Sequence, residues 1–259
     1  MTARALALPL VLLALASPVA AQVDSVKDLR YPPLAGFDIP RPQRIELENG
    51  LVVLLLEDRE LPLVEATALV RAGSAQDPAG KVGLAQLGGA VLRSGGTEAL
   101  AGDRLDDWLE TRGAAIEAGV TEDSVRVTLS SLKQDFPEAL KVYADVLRRP
   151  AFDAQKLEVE RNKAIGEVSR QNDQMLGILF REFDEIVYGP ESPYGRTETY
   201  ASLGAIRRED LAAWHRQGFH PDRTILGLVG DFSPEEALRW VRDAFGDWKR
   251  GPSGQDPSG

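Results

Sequence analysis

The sequence predicts an α+β domain in which helices pack against a mixed, largely antiparallel sheet. Three observations carry that prediction: a hairpin pattern around residue 50, alternating strands in the middle of the chain, and a fully specified helix start at Ser233. Strands come first, a block of helices follows, and a further strand and helix close the order.

Each element has its own local reason. Arg44-Ile45-Glu46-Leu47-Glu48 alternates polar and apolar side chains, Asn49-Gly50 supplies a tight-turn dipeptide, and Leu51 to Leu56 runs as a buried strand. Leu63 to Arg71 is a third strand, closed by Ala72-Gly73-Ser74. Two helical stretches follow, about Val82 to Arg93 and Arg104 to Arg112, broken at Gly95-Gly96. Ala114 to Ala118 and Ser124 to Leu132 read as strands, because Val125, Val127 and Leu129 alternate with Arg126, Thr128 and Ser130. A long helical region starts at Gln134, is interrupted at Pro150, and resumes from Asp153 to Tyr188, where Gly189-Pro190 ends it. A helix around Arg208 to Gln217 and a strand at Thr224 to Val229 precede the last helix. There Ser233 is the N-cap, Pro234 the first helical residue, and Glu236 completes a capping box.

The flanks are of a different kind. Residues 1–21 read as an export signal: Arg4, an apolar run from Ala5 to Ala16, then Val19-Ala20-Ala21 as the small-residue cleavage pattern. The run is too short to span a bilayer comfortably, and a retained anchor is the competing reading. Residues 22–43 form a proline-dotted extended leader, residues 44–250 the folded domain, and residues 251–259 a linker or tail. The expected location is periplasmic or secreted.

Composition narrows the chemistry. Thirty basic against forty acidic residues give a net charge of −10, which becomes −11 once Arg4 is removed with the signal. That surface repels phosphate backbones and anionic membranes, so neither nucleic acid nor, after signal cleavage, a membrane is an expected partner. Cysteine is absent, which excludes disulfides, thiolate zinc sites and thiol nucleophiles. His215 and His220 lie five apart across a helix end and lack the i,i+4 geometry of a metal pair, so a packing or hydrogen-bonding role is expected for His215.

The informative stretch is Gly83-Leu-Ala-Gln-Leu-Gly-Gly-Ala-Val-Leu-Arg-Ser-Gly-Gly-Thr97. It resembles the pitrilysin/insulinase zinc peptidases, in which this segment reads Gly-Leu-Ala-His-x-x-Glu-His. The likeness continues through Glu160-Arg161 to Glu167, Pro193-Tyr194-Gly195, His215, Pro221-Asp222 and Val229-Gly230-Asp231. In that family two histidines at i and i+4 share a helix face, a glutamate at i+3 serves as the base, and a distant glutamate completes the zinc shell. Carried across, the histidine positions fall on Gln86 and Ala90, the base position on Gly89, and the distal ligand on Glu167, 77 residues after Ala90. Alanine and glycine cannot ligate a metal, and a glutamine carbonyl is a poor zinc donor. The resemblance therefore implies zinc in the family, and no cofactor and no catalytic residue here. Gly88-Gly89 either lets another backbone pack closely or reflects drift after loss of function.

The resemblance also implies a peptide-binding sheet edge at Glu117 and Ala118, with an ordinary charged edge residue as the alternative for Glu117. Family members enclose a peptide substrate in a chamber of two halves, one of which often lacks metal. The expectation is a non-catalytic, metal-less half that partners a zinc-bearing homologous subunit, with the processing-peptidase-like fold and a second related domain past Gly259. Two rivals remain: a metallopeptidase using Glu160 and Glu167 with acids elsewhere, and a stand-alone peptide-binding protein.

Overall fold

The computed structural model describes Gly36 and residues 39–251. The export signal, most of the leader and the tail after Gly251 lie outside the described residues. The elements fall in the unit Pro40–Gly259.

Six strands form one sheet: β1 (Gln43–Glu46), β2 (Val52–Glu57), β3 (Leu63–Val70), β4 (Ala115–Val120), β5 (Val125–Leu132) and β6 (Thr224–Gly230). Their order across the sheet is β1-β2-β6-β3-β5-β4, and only β2 and β6 run parallel. The helices are α1 (Leu84–Ser94), α2 (Gly102–Thr111), α3 (Phe136–Arg148), α4 (Ala154–Arg170), α5 (Met175–Tyr188), α6 (Tyr200–Ala205), α7 (Arg208–Gly218) and α8 (Pro234–Phe245). This is the mixed, largely antiparallel α+β arrangement that the sequence predicts.

Period-2 alternation decides which face the helices cover. Val53 and Leu55, Val64 to Val70 at every second position, Val125, Val127, Leu129, Leu226 and Leu228 are all buried in the core. The opposite face, with Glu65, Leu69, Ile225 and Val229, is exposed. Helix α3 lies on the buried face against β5. There the buried Tyr143 hydroxyl accepts from Ala68 N (2.8 Å) and donates to Val127 O (2.7 Å), which ties β3 to β5.

Four details differ from the local reading. The first hairpin closes through a loop over residues 47–51, in which Gly50 N donates to Leu47 O (2.9 Å) and Leu47 N to Leu51 O (2.9 Å). Asn49 Nδ2 also donates to Phe245 O (2.8 Å) and Trp248 O (3.1 Å), which ties the loop to the end of α8. Val52, Leu54 and Leu56 are half-buried on the open face, so β2 is buried on one side only. The helical region from Asp153 to Tyr188 is two helices, broken at residues 171–174, where the Asp173 amide turns back to Arg170 O (2.9 Å). The short α6 carries no long apolar period; a capping box between Thr199 and Ser202 starts it. The Ser233–Glu236 capping box of α8 is present as predicted.

Candidate functional site

Helix α1 is buried on the side that meets the core and exposed at Gln86 and Ala90, one turn apart on the outer face. Its start is fixed by Asp77, whose carboxylate accepts from Gly83 N (2.9 Å) and Ala85 N (3.0 Å). Burial outweighs those hydrogen bonds and pushes the Asp77 carboxyl up to about 6. Asp77 escapes motif reading, since it precedes the helix by seven residues; the Asp77-Pro78 pair is the only local signal.

Gly88 and Gly89 are buried, and their neighbours are side chains, not backbone. A Cβ on Gly88 would lie 2.5 Å from Trp214 Cζ3, and one on Gly89 would lie 2.5 Å from Val120 Cγ2. The indole of α7 and the last residue of edge strand β4 therefore stand where longer side chains on α1 would go. Gln86 Nε2 approaches Val120 O at 3.4 Å, so the glutamine reaches the end of the same edge strand.

Gln86 and Glu167 line one open cleft of about 470 Å³, together with Glu122, Arg181, Arg196 and Glu198. Burial, Glu167 and Asp77 raise the Glu198 carboxyl above its ordinary range. The cleft brings the first and the distal motif positions to one place. Ala90 and Gly89 do not line it, and neither does Glu160, which pairs with Lys163 at 2.7 Å. Arg161 is buried: it donates to Leu203 O and Ile206 O and so clamps the end of α6 onto α4.

The residues present do not fit zinc. At the ligand and base positions that the resemblance implies, the donors are one amide at 86 and one carboxylate at 167, with nothing at 89 or 90. Among the described residues no cluster of three or more His, Asp or Glu is placed to hold a metal.

On the sheet edge, Glu117 pairs with Thr128 and Ala118 with Val127. Glu117 is exposed on the open face, while Ala118 and Val120 turn toward the helices and pack on the core. Only the latter pair faces α1, and Glu117 lies away from the cleft.

His215 is buried, with Nε2 2.9 Å from Leu147 O and its ring stacked on Phe219 at 4.6 Å. Burial pushes its pKa down to about 4. The folded state thus keeps the ring neutral while the unfolded chain protonates near 6.5. Stability from this group is full above 6.5 and is lost as pH falls toward 4, by about 3 kcal/mol. Asp77 acts with the opposite sign over much of the same range, so the wild type alone conceals the effect. Urea unfolding of wild type and His215→Gln at pH 7 and pH 4.5 isolates it. The gap between the two proteins is expected to shrink at the lower pH; a constant gap would refute the assignment.

The sequence profile of the insulinase family (peptidase family M16) matches residues 52–192, and that of the peptidase M16 inactive domain matches residues 205–259. The beta subunit of the mitochondrial-processing peptidase of Saccharomyces cerevisiae is 27% identical over 141 residues, covering 53% of this chain and 30% of its own length. A solved structure of a peptidase M16 inactive domain from Pseudomonas fluorescens superposes with a TM-score of 0.77 at 26% identity, over 83% of this chain and 53% of that one. The first half of the periplasmic protease PqqL from Escherichia coli shares the fold, with a TM-score of 0.73 at 16% identity, over 84% and 49% of the two chains. The chain spans less than half the length of such curated relatives.

Proposed function

Because the chain belongs to the insulinase family of peptidases (peptidase family M16), we propose that it is a non-catalytic, metal-less peptidase-like domain that forms part of a substrate chamber. One observation carries this reading. The fold around the motif is intact, yet Gln86, Gly89 and Ala90 occupy the two ligand positions and the base position, with Val120 against Gly89. A domain that keeps the walls and lacks the zinc ligands can position a peptide without attacking it. The edge of β4 beside α1 is the surface to which an added strand would pair through its backbone.

In this proposal the attacking site belongs to a zinc-bearing homologous subunit, and the substrate is a peptide. The relation to a chain named as a subunit supports that part. The export-signal pattern of residues 1–21 supports a periplasmic or secreted location.

The test is elemental analysis after dialysis against zinc, together with a quenched-fluorescence peptide assay. The purified protein is expected to retain no stoichiometric zinc and to cleave no peptide. Stoichiometric zinc with chelator-sensitive cleavage would overturn the reading and favour a metallopeptidase with another ligand set.

A further inference from the structure

Of the three asparagines in the chain, Asn49 alone is followed by glycine. An Asn-Gly pair is the dipeptide most open to loss of the side-chain amide, because no side chain on the second residue shields its main-chain nitrogen. Here the pair is also a fastening. Asn49 Nδ2 donates to Phe245 O (2.8 Å) and Trp248 O (3.1 Å), so it caps the C-terminal end of α8 from 196 residues away. The segment after α8 is laid along the same loop. Arg250 Nη2 donates to Glu48 O (2.9 Å), and Gly251 N donates to Asp222 Oδ1 (3.1 Å).

The contacts around the pair act on that chemistry in opposite senses. Leu51 N donates to Asn49 Oδ1 (3.2 Å), which polarises the Cγ carbonyl and stabilises the oxygen charge that forms when Cγ is attacked. Gly50 N, the attacking atom, is tied to Leu47 O (2.9 Å), and the leaving Nδ2 is held by two carbonyls. Both reacting groups are engaged elsewhere while the end of α8 is docked. The reaction therefore belongs to brief openings of the loop.

We propose that Asn49 is a deamidation site, and that its conversion unfastens the end of α8 from the first hairpin. Gly50 N loses its proton and bonds to Asn49 Cγ, the Cγ–Nδ2 bond breaks, and Nδ2 leaves with that proton as ammonia. Water then adds to either carbonyl of the five-membered imide and opens it to aspartate or isoaspartate. One water is consumed and one ammonia released, with no oxidant or reductant. The product carboxylate only accepts hydrogen bonds, so it faces Phe245 O and Trp248 O with no proton to give. It also places negative charge at the C-terminal end of a helix, where the dipole favours a cation. Asp222, whose Cβ would lie 3.0 Å from a Cβ on Gly50, adds a further carboxylate. Arg250 lies nearby too, but turning it to the new charge would take it from Glu48 O. The proposal goes beyond the metal-less chamber reading and does not depend on it.

The test is conversion at Asn49 in the intact chain, folded and in urea, in mildly alkaline buffer, read by peptide mapping with an isoaspartate assay. Both states are expected to convert, the unfolded chain at least about tenfold faster, as a reaction gated by opening requires. Trypsin reads the unfastening. Cleavage after Lys249 and Arg250 should be at least about tenfold faster in the converted protein and in Asn49→Asp than in fresh wild type. Should Asn49→Asp fail to fold, converted wild type separated by its charge carries the same measurement. An Asn49 that stays intact in the folded protein overturns the proposal, as do equal rates in the two states. Converted protein that trypsin cuts no faster than fresh protein overturns the unfastening.

Discussion

Restoring the ligand set, with Gln86→His, Gly89→Glu and Ala90→His together, is expected to raise zinc affinity at least about 100-fold, because two imidazoles join the Glu167 carboxylate. The structure adds a condition that the motif does not contain. A Cβ at position 89 would lie 2.5 Å from Val120 Cγ2. The triple variant should therefore lose about 1–3 kcal/mol of stability through overpacking. Adding Val120→Ala should relieve that strain and leave room for the carboxylate. Calorimetric zinc titration and urea unfolding measure the two effects separately. In the four-fold variant, Glu167→Gln should abolish most of the gain. Unchanged affinity after that step would show that Glu167 is not the distal ligand.

Gly88→Ala is expected to destabilise the fold by about 2 kcal/mol, although alanine exceeds glycine in helix propensity by about 1 kcal/mol. The added methyl would meet Trp214 at 2.5 Å and 2.7 Å. The indole cannot easily retreat: Nε1 donates to Ala72 O at 3.1 Å, the ring sits edge-on to Phe219 at 5.1 Å, and the side chain is buried. Trp214→Phe removes the atoms that clash, so the cost of Gly88→Ala should fall in that background, and a double-mutant cycle reads the coupling. A stabilising Gly88→Ala would mean that the indole is not held against α1.

The same two glycines show where local reading stops. Their presence in an apolar helix was visible, but their cause lies in Trp214 and Val120, residues 126 and 31 positions away in the chain. Arg161 is a second case. A cation in a charged helical stretch reads as solvated, because sequence periodicity cannot show that the carbonyls at the end of α6 arrive from another element to receive it.

By itself the sequence determined the order of the six strands, the capping of α8, and that residues 86, 89 and 90 are Gln, Gly and Ala. Those depend on neighbours within a few residues, or on the identity of a single side chain. Tertiary structure alone decided how Gln86 and Glu167 come to share a cleft, and that α5 turns its apolar stripe of Leu176, Phe180, Phe183 and Val187 outward. An amphipathic period shows that a helix has two faces; which one meets the core depends on elements far along the chain.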